Sequence, residues 1–172
     1  MRFRYIQASQ IGVGRCWRAV IPRPECLCLV TVALQVDCSF CDIAASRSPA
    51  PIVHQSEWVT AFLDHAPLFP GHTLVIPRLH VPTIEDMPDE LVGPYFATVS
   101  RVARAVRMAT GAQGTFVGMN NIVSQSVPHL HTHVVPRTKG DGLRGFFWPR
   151  TRYRDDTHRE EVRAEIASQL GE

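Results

Sequence analysis

The run His129-Leu130-His131-Thr132-His133 places an imidazole at every second position. On an extended strand alternate side chains share a face, so the three rings stand together while Leu130, Thr132 and Val134 face the other way. Each buried ring needs a partner for its nitrogens, so packing alone does not account for three of them. Two chemistries remain. Neutral imidazole ligates zinc, and near pH 7 it is also a nucleophile and a proton carrier. Three rings two residues apart span roughly 13 Å end to end, too far for one ion about 2 Å from each nitrogen. One of the three can hold a metal; all three cannot share one.

A second cluster, Cys38-Ser39-Phe40-Cys41, has the spacing of a metal knuckle. The chain has five cysteines, Cys16, Cys26, Cys28, Cys38 and Cys41. An odd number gathered at one end is a poor disulfide framework, and free thiolates favour a reducing, cytoplasmic setting. A formal charge of only +2 gives no reason to expect nucleic acid. Basic residues do gather late, at Arg137, Lys139, Arg144, Arg150, Arg152, Arg154 and Arg159. A solvated face is the plain reading of that cluster, and a phosphate-attracting rim the sharper one. No apolar run approaches the roughly 20 residues of a membrane helix. Residues 26–34 weakly mimic a secretory signal, but Pro22, Pro24 and Glu25 interrupt its expected charge-to-apolar transition.

The length of 172 residues suits one domain. Residues 1–36 show no clean periodicity and read as an N-terminal extension; residues 37–172 read as the domain with its C-terminal tail. Residues 58–63 and 72–76 have strand character, separated by the turn-forming residues 67–71. Pro88 opens a helix in which Leu91, Tyr95, Val99, Val102 and Val106 recur at spacings of three and four, with Gly111 a stop. Strands are expected at 115–119 and 129–135, and a helix over 156–170 from Val162, Ile166 and Leu170. Strands grouped around one long helix predict an α+β fold with an antiparallel sheet.

With these motifs in place, the chain resembles the histidine-triad (HIT) family, and most its Hint branch. Four blocks carry the resemblance, in the family's order over about residues 38–141: the knuckle continued to Asp42 and Ile43; Ala61-Phe62-Leu63-Asp64; the stretch from Pro70-Gly71-His72 to Pro77-Arg78-Leu79-His80; and the stretch from Gln125-Ser126-Val127-Pro128 through the triad to Pro136-Arg137.

The resemblance implies a nucleotide hydrolase or nucleotidyl transferase. His131 would take a nucleoside 5′-monophosphate, AMP by expectation, as a covalent adduct from a phosphoramidate-type substrate. His133 would contact the phosphate oxygens, and Ser126 and Gln125 would donate hydrogen bonds to the phosphate or leaving group. Asn120, with Asn121 the alternative, matches a family asparagine. Asp64 would accept from the ribose hydroxyls, and Phe40, Ile43 and Phe62 would wall a purine base. Cys38, Cys41, His80 and His129 correspond to a structural zinc site, one ion per chain, with no organic cofactor. Two other readings stand beside this one: a dinucleoside polyphosphate hydrolase or phosphorylase, and a zinc-stabilised nucleotide-binding module without turnover. A homodimer is expected through the helix at 88–108, whose apolar stripe needs cover, and Trp148 is read either as a residue near the partner's site or as a buried structural tryptophan. The turn between Asn120 and Gln125 departs from the family pattern, with Ser124 where glycine is common.

Overall fold

A computed structural model of the chain describes residues 37–143 and 151–171. The N-terminal extension, Cys16, Cys26, Cys28, Arg144, Trp148 and Arg150 lie outside the described residues. Five strands, β1 (Ile52–Gln55), β2 (Val59–Leu63), β3 (Thr73–Pro77), β4 (Gly114–Gly118) and β5 (Thr132–Arg137), form one sheet in the order β1-β2-β3-β5-β4. Every neighbouring pair is antiparallel. Helices α1 (Ser39–Ala44), α2 (Asp89–Thr110) and α3 (Asp156–Gln169) complete the α+β fold.

The sheet is buried on both faces because strand alternation hands each face its own helix. Val59, Ala61, Val75, Leu130 and Val134 meet Leu91, Tyr95, Val99, Val102 and Val106 of α2. All five residues of the expected helical stripe are therefore buried against the chain's own sheet, so that stripe does not itself call for a partner. Full burial of such side chains stabilises by about 1.5–3 kcal/mol each. Tyr95 adds a polar tie from helix to sheet. Its hydroxyl donates to the Val75 carbonyl at 2.8 Å and lies 2.8 Å from Thr132 Oγ1. On the opposite face Phe62, Leu74 and Ile76 pack with Ala44, Phe40 and Ile43 of α1.

The β2–β3 turn closes at Gly71, whose φ of +95° favours glycine and whose added Cβ would meet Thr110 Cγ2 at 2.6 Å. Helix α2 stops at Gly111, in the left-handed conformation usual for that position. Three elements differ from the sequence reading. β1 and α1 have no counterpart in it. The strand carrying the triad begins only at Thr132, so His129 and His131 precede the ladder and His133 alone lies within it. The alternation nevertheless persists, since Leu130 and Val134 are both buried toward α2. Helix α3 forms where expected, with none of its residues buried.

Candidate active site

The α1 face of the sheet carries a cavity of about 390 Å³ bordered by Phe40, Ile43, Phe62, Asp64, His131 and His133, with Ser126 at its edge. Phe40 holds its apolar wall in place by edge-to-face contacts with Phe62, at 5.6 Å between ring centres, and with His131, at 5.3 Å. Such aromatic pairs contribute about 0.5–1.5 kcal/mol beyond area burial. α1 can present Phe40 and Ile43 together because they lie three residues apart, on one side of its short turn.

His131 is 3% exposed, and its Nδ1 lies 2.7 Å from the His129 carbonyl oxygen. A carbonyl only accepts, so Nδ1 carries the proton and donates it, which leaves the lone pair on Nε2. His133 is governed by a longer chain of the same logic. The Leu68 amide donates to His72 Nδ1 at 3.2 Å, so the His72 proton sits on Nε2. That proton is donated to His133 Nδ1 at 3.0 Å, and His133 must then carry its own proton on Nε2. Burial, with His131 and His72 nearby, pushes the His133 pKa down to about 4. Burial also lowers that of His72, against the opposing pull of Asp64. Near neutral pH His133 is therefore an uncharged hydrogen-bond donor, with 5.1 Å between its ring and that of His131. The register pairing Leu74 with His133 brings His72 to this position.

Beneath the cavity Cys38, Cys41, His80 and His129 converge, with one potential ligand atom from each lying within 4.8 Å of the others. Cys38 Sγ is 3.5 Å from His129 Nδ1, and Cys41 Sγ is 3.3 Å from His80 Nδ1 and 3.5 Å from His129 Nδ1. Sulfur and nitrogen ligands of tetrahedral zinc, about 2.3 and 2.05 Å from the ion, stand about 3.6 Å apart. The donor set thus fits a closed tetrahedral site. The second nitrogen of His129 agrees: Nε2–H donates to the Pro77 carbonyl at 2.9 Å, which turns a bare Nδ1 toward the thiols. Burial, with Cys38 alongside, raises the Cys41 thiol to about 11, so two thiolates here need a cation to balance them.

The HIT domain family matches residues 45–140. The chain belongs to the HIT domain family. It is 42% identical over 115 residues to Protein hit of Bacillus subtilis, covering 65% of this chain and 79% of that one. It is 36% identical to an adenylylsulfatase of Arabidopsis thaliana, over 64% of this chain but only 57% of the plant protein's length. An adenosine 5′-monophosphoramidase of Saccharomyces cerevisiae is 32% identical, over 60% of this chain and 65% of its own. Among solved structures, a HIT family member from Bacillus subtilis superposes with a TM-score of 0.71 at 34% identity, covering 77% of this chain and 96% of that one. A zinc-bound histidine triad protein from Mycobacterium smegmatis has a TM-score of 0.60 at 35% identity, over 77% of this chain and 97% of its own.

Within this HIT site the expected residues are not all placed alike. Phe40, Ile43, Phe62, Asp64, Ser126, His131 and His133 meet at the cavity. Gln125 and Asn120 do not border it, because their side chains are engaged in holding the loop that leads to the triad. Gln125 accepts from the Ile122 amide at 2.8 Å and donates to the Pro82 carbonyl at 2.7 Å. Asn120 donates to the Ser124 carbonyl at 3.3 Å, and Asn121 accepts from the Ile84 amide at 2.9 Å. The loop needs such ties, since Ile122 and Ser124 have φ of 65° and 60°, where side-chain-bearing residues are strained. One carboxylate oxygen of Asp64 accepts from the Ala66 amide at 2.9 Å. Among the described residues the late arginines form no rim: Arg137 is paired with Asp141 at 2.6 Å, Arg159 with Asp156 at 3.1 Å, and none borders the cavity. His72 is the functional residue that sequence reasoning read only as the start of a strand. Its place in the Pro70-Gly71-His72 block was the available signal.

Proposed function

We propose that this HIT chain is a nucleotide hydrolase that cleaves a nucleoside 5′-monophosphate, AMP by preference, from a phosphoramidate-type leaving group through a nucleotidyl-His131 intermediate. The observation that carries the reading is the pair of fixed tautomers: a His131 Nε2 lone pair beside a His133 Nε2–H donor. In the first step His131 Nε2 attacks the α-phosphorus; the N–P bond forms, the bond to the leaving amine breaks, and the amine departs with a proton from solvent or substrate. Water then attacks phosphorus, returning Nε2 and releasing the monophosphate. His133 and Ser126 donate to the phosphate oxygens where charge develops. The purine lies between Phe40, Ile43 and Phe62, and Asp64 takes the ribose hydroxyls.

Two relatives support an adenylate group: one is named for an adenylyl sulfate and the other for an adenosine phosphoramidate. Among the described residues, the late arginines that mildly favoured a longer phosphate groove are paired elsewhere or do not border the cavity, so they lend the dinucleoside polyphosphate reading no support. Zinc would be held by Cys38, Cys41, His80 and His129 as a structural ion, fixing His129 and hence the carbonyl that orients His131. A homodimer would rest on apolar side chains that stay exposed, such as Phe96 and Val117, at 37% and 43%, rather than on the buried stripe of α2. The test is turnover of an adenosine phosphoramidate against diadenosine polyphosphates, with and without inorganic phosphate. Preference for the phosphoramidate supports the reading. Preference for the polyphosphates, or binding of AMP without turnover of any substrate, overturns it.

A further inference from the structure

Of the polar side chains that border the site cavity, four are taken up by the proposed reaction: Ser126, His131 and His133 at the phosphate, and Asp64 at the ribose. A fifth, His65, keeps to the mouth. Its Nδ1 lies 3.5 Å from Asp64 Oδ1, and its side chain is 98% exposed. The other end of the cavity is walled by hydrocarbon, from Pro49, Ala50 and Pro51 across to Phe62, Leu63 and Leu74. The backbone there is engaged as well, since the Ala50 and Pro51 carbonyls accept from the Ile52 and Leu63 amides at 2.9 and 3.0 Å. Such walls hold a flat ring by stacking, but hydrocarbon neither donates nor accepts and so does not read the ring's edge.

One side chain breaks that lining. Ser39, the first residue of α1, borders the same cavity and is exposed. Its hydroxyl has no hydrogen-bond partner among the described residues. Helical spacing fixes where it stands. Ile43 is four residues on and Phe40 three residues before Ile43, so Ser39 and Phe40 both flank the Ile43 side of the helix. Phe40 in turn lies 5.6 Å from Phe62 between ring centres, across the slot assigned to the base. Ser39 therefore brings a free donor and acceptor to a wall whose other side chains have neither.

We propose that Ser39 is the specificity residue that reads the edge of the base, its hydroxyl accepting from the 6-amino group of adenine. The 6-substituent sits at the corner shared by the two hydrogen-bonding edges of a purine, within reach of one hydroxyl whichever edge is presented. A hydroxyl also donates, so the contact selects for a 6-substituted purine and does not by itself separate adenine from guanine. The slot is open to water, so losing this one neutral hydrogen bond weakens binding by about two- to tenfold. The proposal rests on the nucleotide reading above and adds to it the feature of the base that the slot recognises.

The experiment measures Kd by calorimetry for AMP and for purine riboside 5′-monophosphate, which lacks the 6-amino group. The full-length wild-type, Ser39→Ala, Ser39→Thr and His65→Ala proteins are compared, with circular dichroism confirming the fold. Wild-type protein should bind AMP the more tightly of the two nucleotides. Ser39→Ala should weaken AMP about fivefold and leave the 6-unsubstituted nucleotide within about 1.5-fold. Ser39→Thr, which keeps the hydroxyl, should restore most of the preference, and His65→Ala should retain it. A general distortion of α1 would weaken both nucleotides alike, so the change in their ratio separates reading of the base from mere support of the wall. A ratio unchanged in Ser39→Ala, an equal loss for both nucleotides, or a ratio lost in His65→Ala instead would overturn this proposal alone. Wild-type protein that binds neither nucleotide would overturn the nucleotide reading and this proposal with it.

Discussion

Replacing His72 removes the group that selects the tautomer of His133 without touching the proposed nucleophile. In the native arrangement the alternative tautomer would set two N–H groups against each other at 3.0 Å, or turn a His72 proton toward the Leu68 amide at 3.2 Å. Leaving a buried donor or acceptor unsatisfied in this way costs about 1–3 kcal/mol. A tenfold change corresponds to about 1.36 kcal/mol, so the relay biases His133 toward its donating form by about 5- to 150-fold. His72→Ala should lower kcat by an amount in that range while KM changes little, because the walls of the base slot are untouched. His72→Gln, whose amide can still donate to His133 Nδ1, should recover part of the loss. Steady-state kinetics on an adenosine phosphoramidate, with circular dichroism confirming the fold, is the assay. A folded His72→Ala enzyme within twofold of wild-type kcat would refute the relay. So would a His72→Gln variant no better than the alanine.

Protein purified without chelators should carry about one zinc per chain, and Cys41→Ala should lose it together with stability on the kcal/mol scale; metal analysis paired with urea unfolding reads both. Ser124→Gly should stabilise by about 1 kcal/mol, because the left-handed conformation at that position suits glycine; an unchanged or lower unfolding midpoint would speak against strain in the loop. Stability should also fall as pH is lowered from about 6.5 toward about 4. His72, His129 and His133 have folded pKa values below the unfolded value, so in that window the unfolded chain binds protons that the folded chain refuses. Denaturant midpoints that stay flat across the window would contradict the buried, neutral state of these rings.

Much of this architecture was legible because chemistry and periodicity coincide in the sequence. The α2 stripe was readable from its spacing, since every one of its five residues faces the sheet. The triad was readable because alternation survives even where the ladder has not begun. α1 was hidden by its length: six residues cannot display a helical period. β1 was hidden because it is a mostly exposed edge strand with no apolar alternation. His72 lies 61 residues from His133, and only the β3–β5 register makes them partners. Gln125 and Asn120 show the converse. Residue type suits them to a phosphate, but the tight loop over residues 119–128 needs their side chains for its own backbone.

The central claim is that His131 is the atom-bearing nucleophile, and a trapped intermediate tests it most directly. Rapid acid-free quench of the enzyme with an adenosine phosphoramidate labelled at phosphorus should capture one nucleotidyl group on an acid-labile, alkali-stable bond at His131. His131→Ala should give neither adduct nor turnover while still binding AMP. Two in-line displacements would also retain configuration at a chiral phosphorus. Inversion, an adduct mapped to another residue, or wild-type-like turnover by His131→Ala would contradict the account.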